Sequence, residues 1–331
     1  MWSYVVRRLL YNVPVYLGIV MFLMAALRIQ DPISASLGKN ATSEDYLAKE
    51  AAYGLDDPFF TQYFTFLGDL FAADFSAESW ANPGKTVGAM LYESIWPSLS
   101  ITFPALTLTA LIAITIGLIS SFFRGQKTDK SLMLLAVVGM SVSFLVYIIF
   151  GQYFGAYVLN EYLKESGALD GTAIFARGEL FSIGDYDTSV SLWWIHFCML
   201  PVLISTLVAT GYDTRFYRAV MVEESGRDYI VTAQAKGASK KKIMFVHMLK
   251  NAMIPIITRL MTTLPFLIMG SLLLEVFFRI PGMGRVLLDA IMANDFPVVQ
   301  AFVGIFALIF ILSNILTDVL YALVDPRVRL S

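Results

Sequence analysis

The sequence predicts an all-α integral membrane fold with six spanning helices, and three observations predict it. The first is composition. Of 331 residues, 57% are hydrophobic and 15% are charged, with 24 basic against 26 acidic side chains. A soluble domain carries about 25% charge and about 45–50% apolar residues. A water-soluble fold of this size needs a charged surface that this chain does not supply. The second observation is a series of apolar stretches, each long enough for the roughly 20 helical residues that cross about 30 Å of hydrocarbon. The third is a periodic asymmetry of charge between the segments that join them.

Taken in order, the first span runs about 9–27, between Arg8 and Arg28, and the second and third lie in the charge-free windows 94–123 and 131–160. The fourth falls within 188–212. The fifth is centred on 260–274, with Arg259 near its start and Glu275 near its end, and the sixth covers about 298–324. Arg7 and Arg8 precede an apolar run that is long and has no clean small-residue cleavage site, so the N-terminus reads as a retained anchor rather than a secretory leader. The connections predict orientation, because Lys and Arg accumulate on the cytoplasmic side. Placing the N-terminus, the loop of Arg124, Lys127 and Lys130, the segment 213–250 and the tail inside puts both termini in the cytoplasm. Sixteen of the 24 basic residues then fall inside or at the inner edge, and 19 of the 26 acids fall in the external segments 28–93, 161–187 and 275–295. The predicted organisation is an N-terminal anchor helix (1–28), an external segment (29–93), a five-helix membrane domain (94–324) with a cytoplasmic loop (213–252), and a tail (325–331).

The first external segment is too long for a turn. Within it the stretch 53–59 predicts a turn leading into a helix. Phe59, Phe60, Tyr63, Phe64 and Phe66 follow at helical spacing, as an amphipathic helix on the outer membrane surface or on the bundle requires.

Several function classes lack their residues. A net charge of −2 gives no basic excess for nucleic-acid phosphates. His196 and His247 are the only histidines and lie on different segments, and no metalloprotease or nucleophile-elbow motif occurs. The single cysteine, Cys198, sits in an apolar stretch as a structural thiol. Pro83-Gly84-Lys85-Thr86 has the ending of a phosphate-binding loop, but Ser79 stands where its first glycine belongs. The chain therefore reads as no enzyme, with no catalytic residue, no metal site and no cofactor of its own.

The informative stretch is cytoplasmic and runs from Glu223 to Ile243. Asp228 is a candidate cap for a helix over 229–236, Gly237 a left-handed terminating residue, and Ser239 a cap for the next, lysine-rich helix start. A short helix held between two spans projects as a knob. Small residues at Thr232, Ala233, Ala235 and Ala238 allow close approach of a partner, while a solvated connector is the plainer reading of the same residues.

Asp228-Tyr229-Ile230-Val231-Thr232-Ala233-Gln234-Ala235-Lys236-Gly237 resembles the ATPase-docking loop of permease subunits of binding-protein-dependent ABC importers, in the oligopeptide, dipeptide and nickel branch. The stretches 247–255, 275–285 (with Pro281-Gly282-Met283-Gly284), 295–300 and 318–327, together with Arg7-Arg8 and Gly54-Leu55-Asp56-Asp57-Pro58, are similar to signatures of the same branch. The chain departs from it at Val231, where the general loop motif has glutamate, at 28–32 after the first span, and in a longer segment at 171–187. The resemblance implies a type I ABC importer permease fold in the bacterial inner (plasma) membrane. It implies a homologous second permease, two cytoplasmic ABC ATPase subunits that carry ATP and Mg, and an external solute-binding protein, with peptides as cargo. ATPase docking falls to Asp228, Tyr229, Val231, Thr232, Ala233, Ala235, Lys236, Gly237 and Ala238. Glu275, Arg279, Pro281, Gly282 and Gly284 are candidates for a gate or external turn, with Glu275 and Arg279 spaced for an ion pair on one helix face. Arg259 is expected to snorkel to the cytoplasmic interface. The competing class, an autonomous secondary transporter or channel, would show inverted repeats, broken helices or a line of charges along its path, and none stands out in the sequence.

Overall fold

A computed structural model describes residues 2–29, 31, 33–34, 37, 42–52, 54–166, 174–175, 186–189, 191–269 and 271–324. The described residues are almost entirely helical, and their only extended pairing is an isolated bridge between Glu78 and Thr86. Five helices are long and apolar enough to cross a membrane, and a bent pair supplies a sixth if its two arms count as one span. The chain divides into two compact units. One holds Met1–Ser98 and Pro281–Ile315, the other Leu99–Ile280 and Leu316–Leu330.

In the first unit, α1 (Trp2–Leu27), α2 (Ser43–Ala52) and α3 (Phe59–Ala72) precede the start of α4 (Val87–Phe122). The aromatic run predicted an amphipathic helix, and α3 is that helix. Its Tyr63, Leu67 and Leu70 are buried with Tyr16, Val20 and Met24 of α1 and Ile311 and Ile315 of α12 (Phe296–Val324), so it lies on the bundle. The Tyr63 hydroxyl also donates to the carbonyl of Leu17 at 2.9 Å. The turn before α3 is present at Gly54 (φ 59), while Tyr53 lies outside the described residues.

Pro83-Gly84-Lys85-Thr86 forms no phosphate cradle. It closes a hairpin-like loop in which Ser79 N–H donates to Lys85 O (2.9 Å), Val87 N–H to Ala77 O (2.8 Å) and Gly88 N–H to Phe75 O (2.9 Å). That loop is clasped by Asp295, which is fully buried. Its carboxylate accepts from the Ser79 hydroxyl, from Trp80 N–H at 3.0 Å and from Ala81 N–H at 3.2 Å. Trp80 stacks on Phe296 with centroids 5.8 Å apart. Asp295→Ala strands these donors, and hydrogen bonds to a charged group contribute about 1.5–3 kcal/mol each. The expected outcome is a loss of about 2–4 kcal/mol, read as a lower thermal midpoint of the detergent-purified protein. An unchanged midpoint would contradict the clasp.

In the second unit, α5 (Lys127–Ser141) and α6 (Phe144–Glu165) occupy the window expected to hold the third span. They meet at 88°. Val142 (ψ 137) and Ser143 (ψ 139) adopt extended backbone, which interrupts the helical hydrogen-bond ladder. The Tyr147 hydroxyl holds the corner by donating to Gly139 O at 2.9 Å. Then come α7 (Trp194–Ser225), α8 (Asp228–Ala235) and α9 (Leu249–Met269). The connection into α9 is helical over Lys240–Lys242 and π-helical over Ile243–Met248. The fifth span therefore starts earlier than the sequence predicted and ends before Ser271. Glu275 belongs to a separate short helix, α10 (Leu272–Phe277). Beyond it the first unit resumes with α11 (Met283–Met292), and α12 follows.

Close approach of α5 and α7 depends on one small residue. A Cβ on Gly211 would sit 2.8 Å from the carbonyl oxygen of Ala136, so any side chain there forces the two helices apart. Small residues where helix backbones meet are the usual means of tight packing between membrane helices. Cys198 is buried beside the Ser100 hydroxyl at 3.4 Å, a packing position.

Candidate functional site

The short helix lies where the punctuation put it. It runs over Asp228–Ala235, one residue earlier than expected at each end, so Asp228 is its first helical residue rather than its cap. Arg227 takes the capping position and makes no side-chain cap bond. The other end is closed as predicted. Gly237 is left-handed (φ 76), Ala238 N–H donates to Ala233 O at 3.0 Å, and Gly237 N–H donates to Gln234 O at 2.9 Å. This is the paired closure of a Schellman motif, which glycine adopts without the Cβ clash of other residues. Ser239 caps the next helical turn by accepting from Lys242 N–H at 3.4 Å.

The helix has an inner and an outer face. Ile230 and Ala233 are buried, and Tyr229 and Ala238 are half-buried, in a cluster with Tyr217, Met221, Ile243, Met248 and Ala252. Asp228, Val231, Thr232, Gln234, Ala235, Lys236 and Gly237 are exposed. Ala233, read in the sequence as a surface for partner approach, instead seats the helix on its own chain. Its small size serves the helix-to-span contact.

Two links tie the helix to the end of α7. The Tyr229 hydroxyl donates to Glu224 Oε2 at 2.6 Å, and Arg227 Nη2 donates to Glu223 Oε1, also at 2.6 Å. Burial, followed by the bond to Glu224, pushes the Tyr229 phenol up to about 12, so it remains a neutral donor at physiological pH.

Eight residues before Ser225, at about two helical turns, Tyr217 is fully buried, and next to it Arg218 reaches Asp129 in the first turn of α5. Arg218 Nε donates to Oδ1 and Nη2 to Oδ2, each at 2.7 Å. The same carboxylate accepts from the Ser120 hydroxyl at 2.5 Å and Gly125 N–H at 2.9 Å. A bidentate guanidinium plus two further donors leaves neither carboxylate oxygen unsatisfied, which is the condition for a buried charge to be tolerated. The clamp joins α4, the turn after it, α5 and α7.

Further along α7, Asp213 accepts from Arg259 Nε at 3.0 Å and Nη2 at 2.9 Å. The expected snorkelling of Arg259 is replaced by this pair, because a partner carboxylate lies within reach on the facing helix. No line of sequence reasoning paired these four residues. A usable signal was present: isolated opposite charges in apolar helices are costly and occur with partners.

The remaining candidates divide between the units. Glu275 is fully buried in α10, and Arg279 lies just past the helix end with φ 54. Ile280 N–H donates to Glu275 O at 2.9 Å, closing α10 as Gly237 closes α8, here with a non-glycine residue in the left-handed region. Gln152 reinforces that end by donating to Phe277 O at 2.6 Å. In the first unit, Gly282 precedes α11, Gly284 is buried within it, Pro281 is exposed, and Met283 N–H donates to Ser98 Oγ at 2.8 Å. The side chain of Asp318 and residues 325–331 lie outside the described residues, as does most of 171–187. Among the described residues no group of three or more His, Cys, Asp or Glu converges as a metal ligand set.

A short helix punctuated in this way between two spans agrees with whole-chain comparison. Residues 113–330 match the model of the binding-protein-dependent transport system inner membrane component, and residues 1–109 match the model of the N-terminal part of such membrane components. The chain belongs to this family. It is an inner-membrane permease component, and the type I architecture inferred from the resemblance stands. Among its relatives, the glutathione transport system permease protein GsiC of Salmonella typhimurium is 30% identical over 331 residues, covering 99% of each chain. The oligopeptide transport system permease protein AppB of Bacillus subtilis is 27% identical, covering 99% of this permease and 100% of the relative. The match therefore takes in both units, the clasped loop and the α8 region alike.

Proposed function

We infer that this permease forms, with a homologous second permease, the membrane path of an ATP-driven importer of peptides, and that α8 docks on a cytoplasmic ATPase. The observation that carries the reading is α8 itself: eight residues fixed on the chain's own core through Ile230 and Ala233, with Asp228, Val231, Thr232, Ala235 and Lys236 turned outward. The peptide and glutathione permeases related to it along their whole length support the cargo class. Hydrolysis belongs to the ATPases, which bind ATP and Mg, and both termini and α8 share the cytoplasmic side with them. An external solute-binding protein delivers the cargo, and the region around Glu275, Arg279, Pro281, Gly282 and Gly284 serves the opposite side as gate or external turn.

The mechanism follows from rigidity. Closure of an ATPase pair on ATP displaces α8. The Tyr229–Glu224 and Arg227–Glu223 bonds carry that displacement across the two-residue joint to α7, and the Asp129–Arg218 clamp passes it on to α4 and α5. Two arrangements of the spans then exchange, biased by nucleotide.

The test is copurification from native membranes in mild detergent, with mass spectrometry of the associated chains and an ATPase assay. Two ATPases and a sister permease, with hydrolysis that rises on adding peptide-loaded binding protein, are expected. A solitary chain that transports in liposomes without ATP would replace this reading with a secondary transporter or channel.

A further inference from the structure

The Asp213–Arg259 pair does more than neutralise itself, because it lines a cavity. The cavity has a volume of about 390 Å³ and lies within the second unit, bordered by α4, α7 and α9, with Thr102, Thr109, Ser205 and Thr263 among its lining residues. That volume falls at the lower end of small-ligand sites, about 300–1,000 Å³.

The two charges are presented unequally. The Arg259 side chain is 41% exposed and that of Asp213 only 9%. Both bonded nitrogens of Arg259, Nε and Nη2, converge on one oxygen, Oδ1, and among the described contacts Nη1 makes no bond. The ring of Phe216 lies 5.9 Å from the guanidinium carbon and fixes its plane further. The cavity thus meets a positioned cation with a spare donor, backed by a carboxylate that holds it still. Ionisable groups on spanning helices that face a cavity mark a path for cargo. A planar guanidinium is suited to a carboxylate, which it grips through paired N–H donors.

We propose that Arg259 docks the terminal carboxylate of peptide cargo as it crosses the permease, with Asp213 as the positioning residue and the Thr and Ser lining residues receiving the peptide amides. This rests on the peptide-importer reading and makes the pair a determinant of which peptides pass. No bond forms or breaks.

The test uses the complete importer in proteoliposomes, at saturating binding protein and peptide, so that capture outside does not limit the rate. Uptake of trialanine is compared with uptake of trialanine amide, which lacks the carboxylate. In the wild type the acid is favoured. In the double variant Asp213→Asn with Arg259→Gln, which leaves no buried charge alone, the acid-to-amide ratio is expected to fall about tenfold, the loss of one charge-assisted contact. Arg259→Lys keeps the cation but loses the planar fork, and is expected to give a preference between those of the wild type and the double variant. An unchanged ratio in the double variant with uptake intact overturns the proposal. So does an equal loss of both substrates together with a lower thermal midpoint, which would make the pair structural only. Absence of ATP-dependent uptake of either peptide by the wild-type complex instead overturns the importer reading, and this proposal with it.

Discussion

Ala233→Asp is expected to abolish ATP-driven uptake and the stimulation of hydrolysis by loaded binding protein, while the chain still inserts in the membrane. The alanine is 7% exposed, on the inner face of α8, in a cluster with Tyr217, Met221 and Ala252. An ionised carboxylate there has no partner, and transferring an unpaired charge into an apolar cluster costs several kcal/mol. The cheapest relief is for α8 to swing off its seat and hydrate the new side chain. The spans keep their own contacts, so membrane insertion survives. A helix free to move on its seat no longer passes displacement to α7, so transport and ATPase stimulation vanish together. The exposed neighbour gives the contrast: Thr232→Asp is expected to leave α8 seated and to act only through the proposed docking contact. Membrane fractionation with uptake and hydrolysis assays checks this, and wild-type uptake in Ala233→Asp would show that the seat is dispensable.

Asp129→Ala is expected to lower stability by about 3–5 kcal/mol, because it leaves the Arg218 guanidinium without its carboxylate in a partly buried position. Arg218→Ala has a cost of similar size, since the Asp129 carboxylate is 4% exposed. The informative case is Asp129→Leu with Arg218→Met, which removes both charges and returns apolar volume. Replacing a whole buried pair in this way is often neutral. The double variant should regain its thermal midpoint, yet uptake should stay below wild type if the clamp transmits motion, because apolar contacts do not fix the direction of approach as a bidentate pair does. Thermal unfolding in detergent combined with reconstituted uptake separates the two roles. Full uptake in the double variant would leave the clamp a stability element alone.

Membrane class, helix positions and the closure of α8 were legible in the sequence because each rests on a local rule. Hydrocarbon thickness sets the length of an apolar run. Gly237 and Ser239 are residues whose backbone preferences act within a few positions. The corner at Val142 and Ser143 was not legible. Neither residue is a helix breaker, and the window around them is as apolar as a straight span. The limits of the fifth span were misplaced for a related reason: hydropathy finds the centre of an apolar run, and it does not detect a break such as the one near Ser271. At the candidate site the outer and inner faces of α8 depended on which neighbours it meets, so Ala233 read as surface. The pairs Asp129–Arg218 and Asp213–Arg259 join positions 89 and 46 residues apart. Their partners could not be chosen from spacing within one helix.

The π-helical turn at Ile243–Met248 lies between α8 and Arg259. A π turn holds one residue more than the α ladder around it needs, so the linkage contains slack that can migrate. If the surplus residue passes along the helix, the part it crosses rotates by about 100°, the angular step of one residue at 3.6 per turn. A push on α8 would then reach the cavity as a screw motion of α9. Such a turn would swing the Arg259 guanidinium away from the Asp213 oxygen, so the grip on a departing carboxylate would loosen in the same stroke that opens its exit.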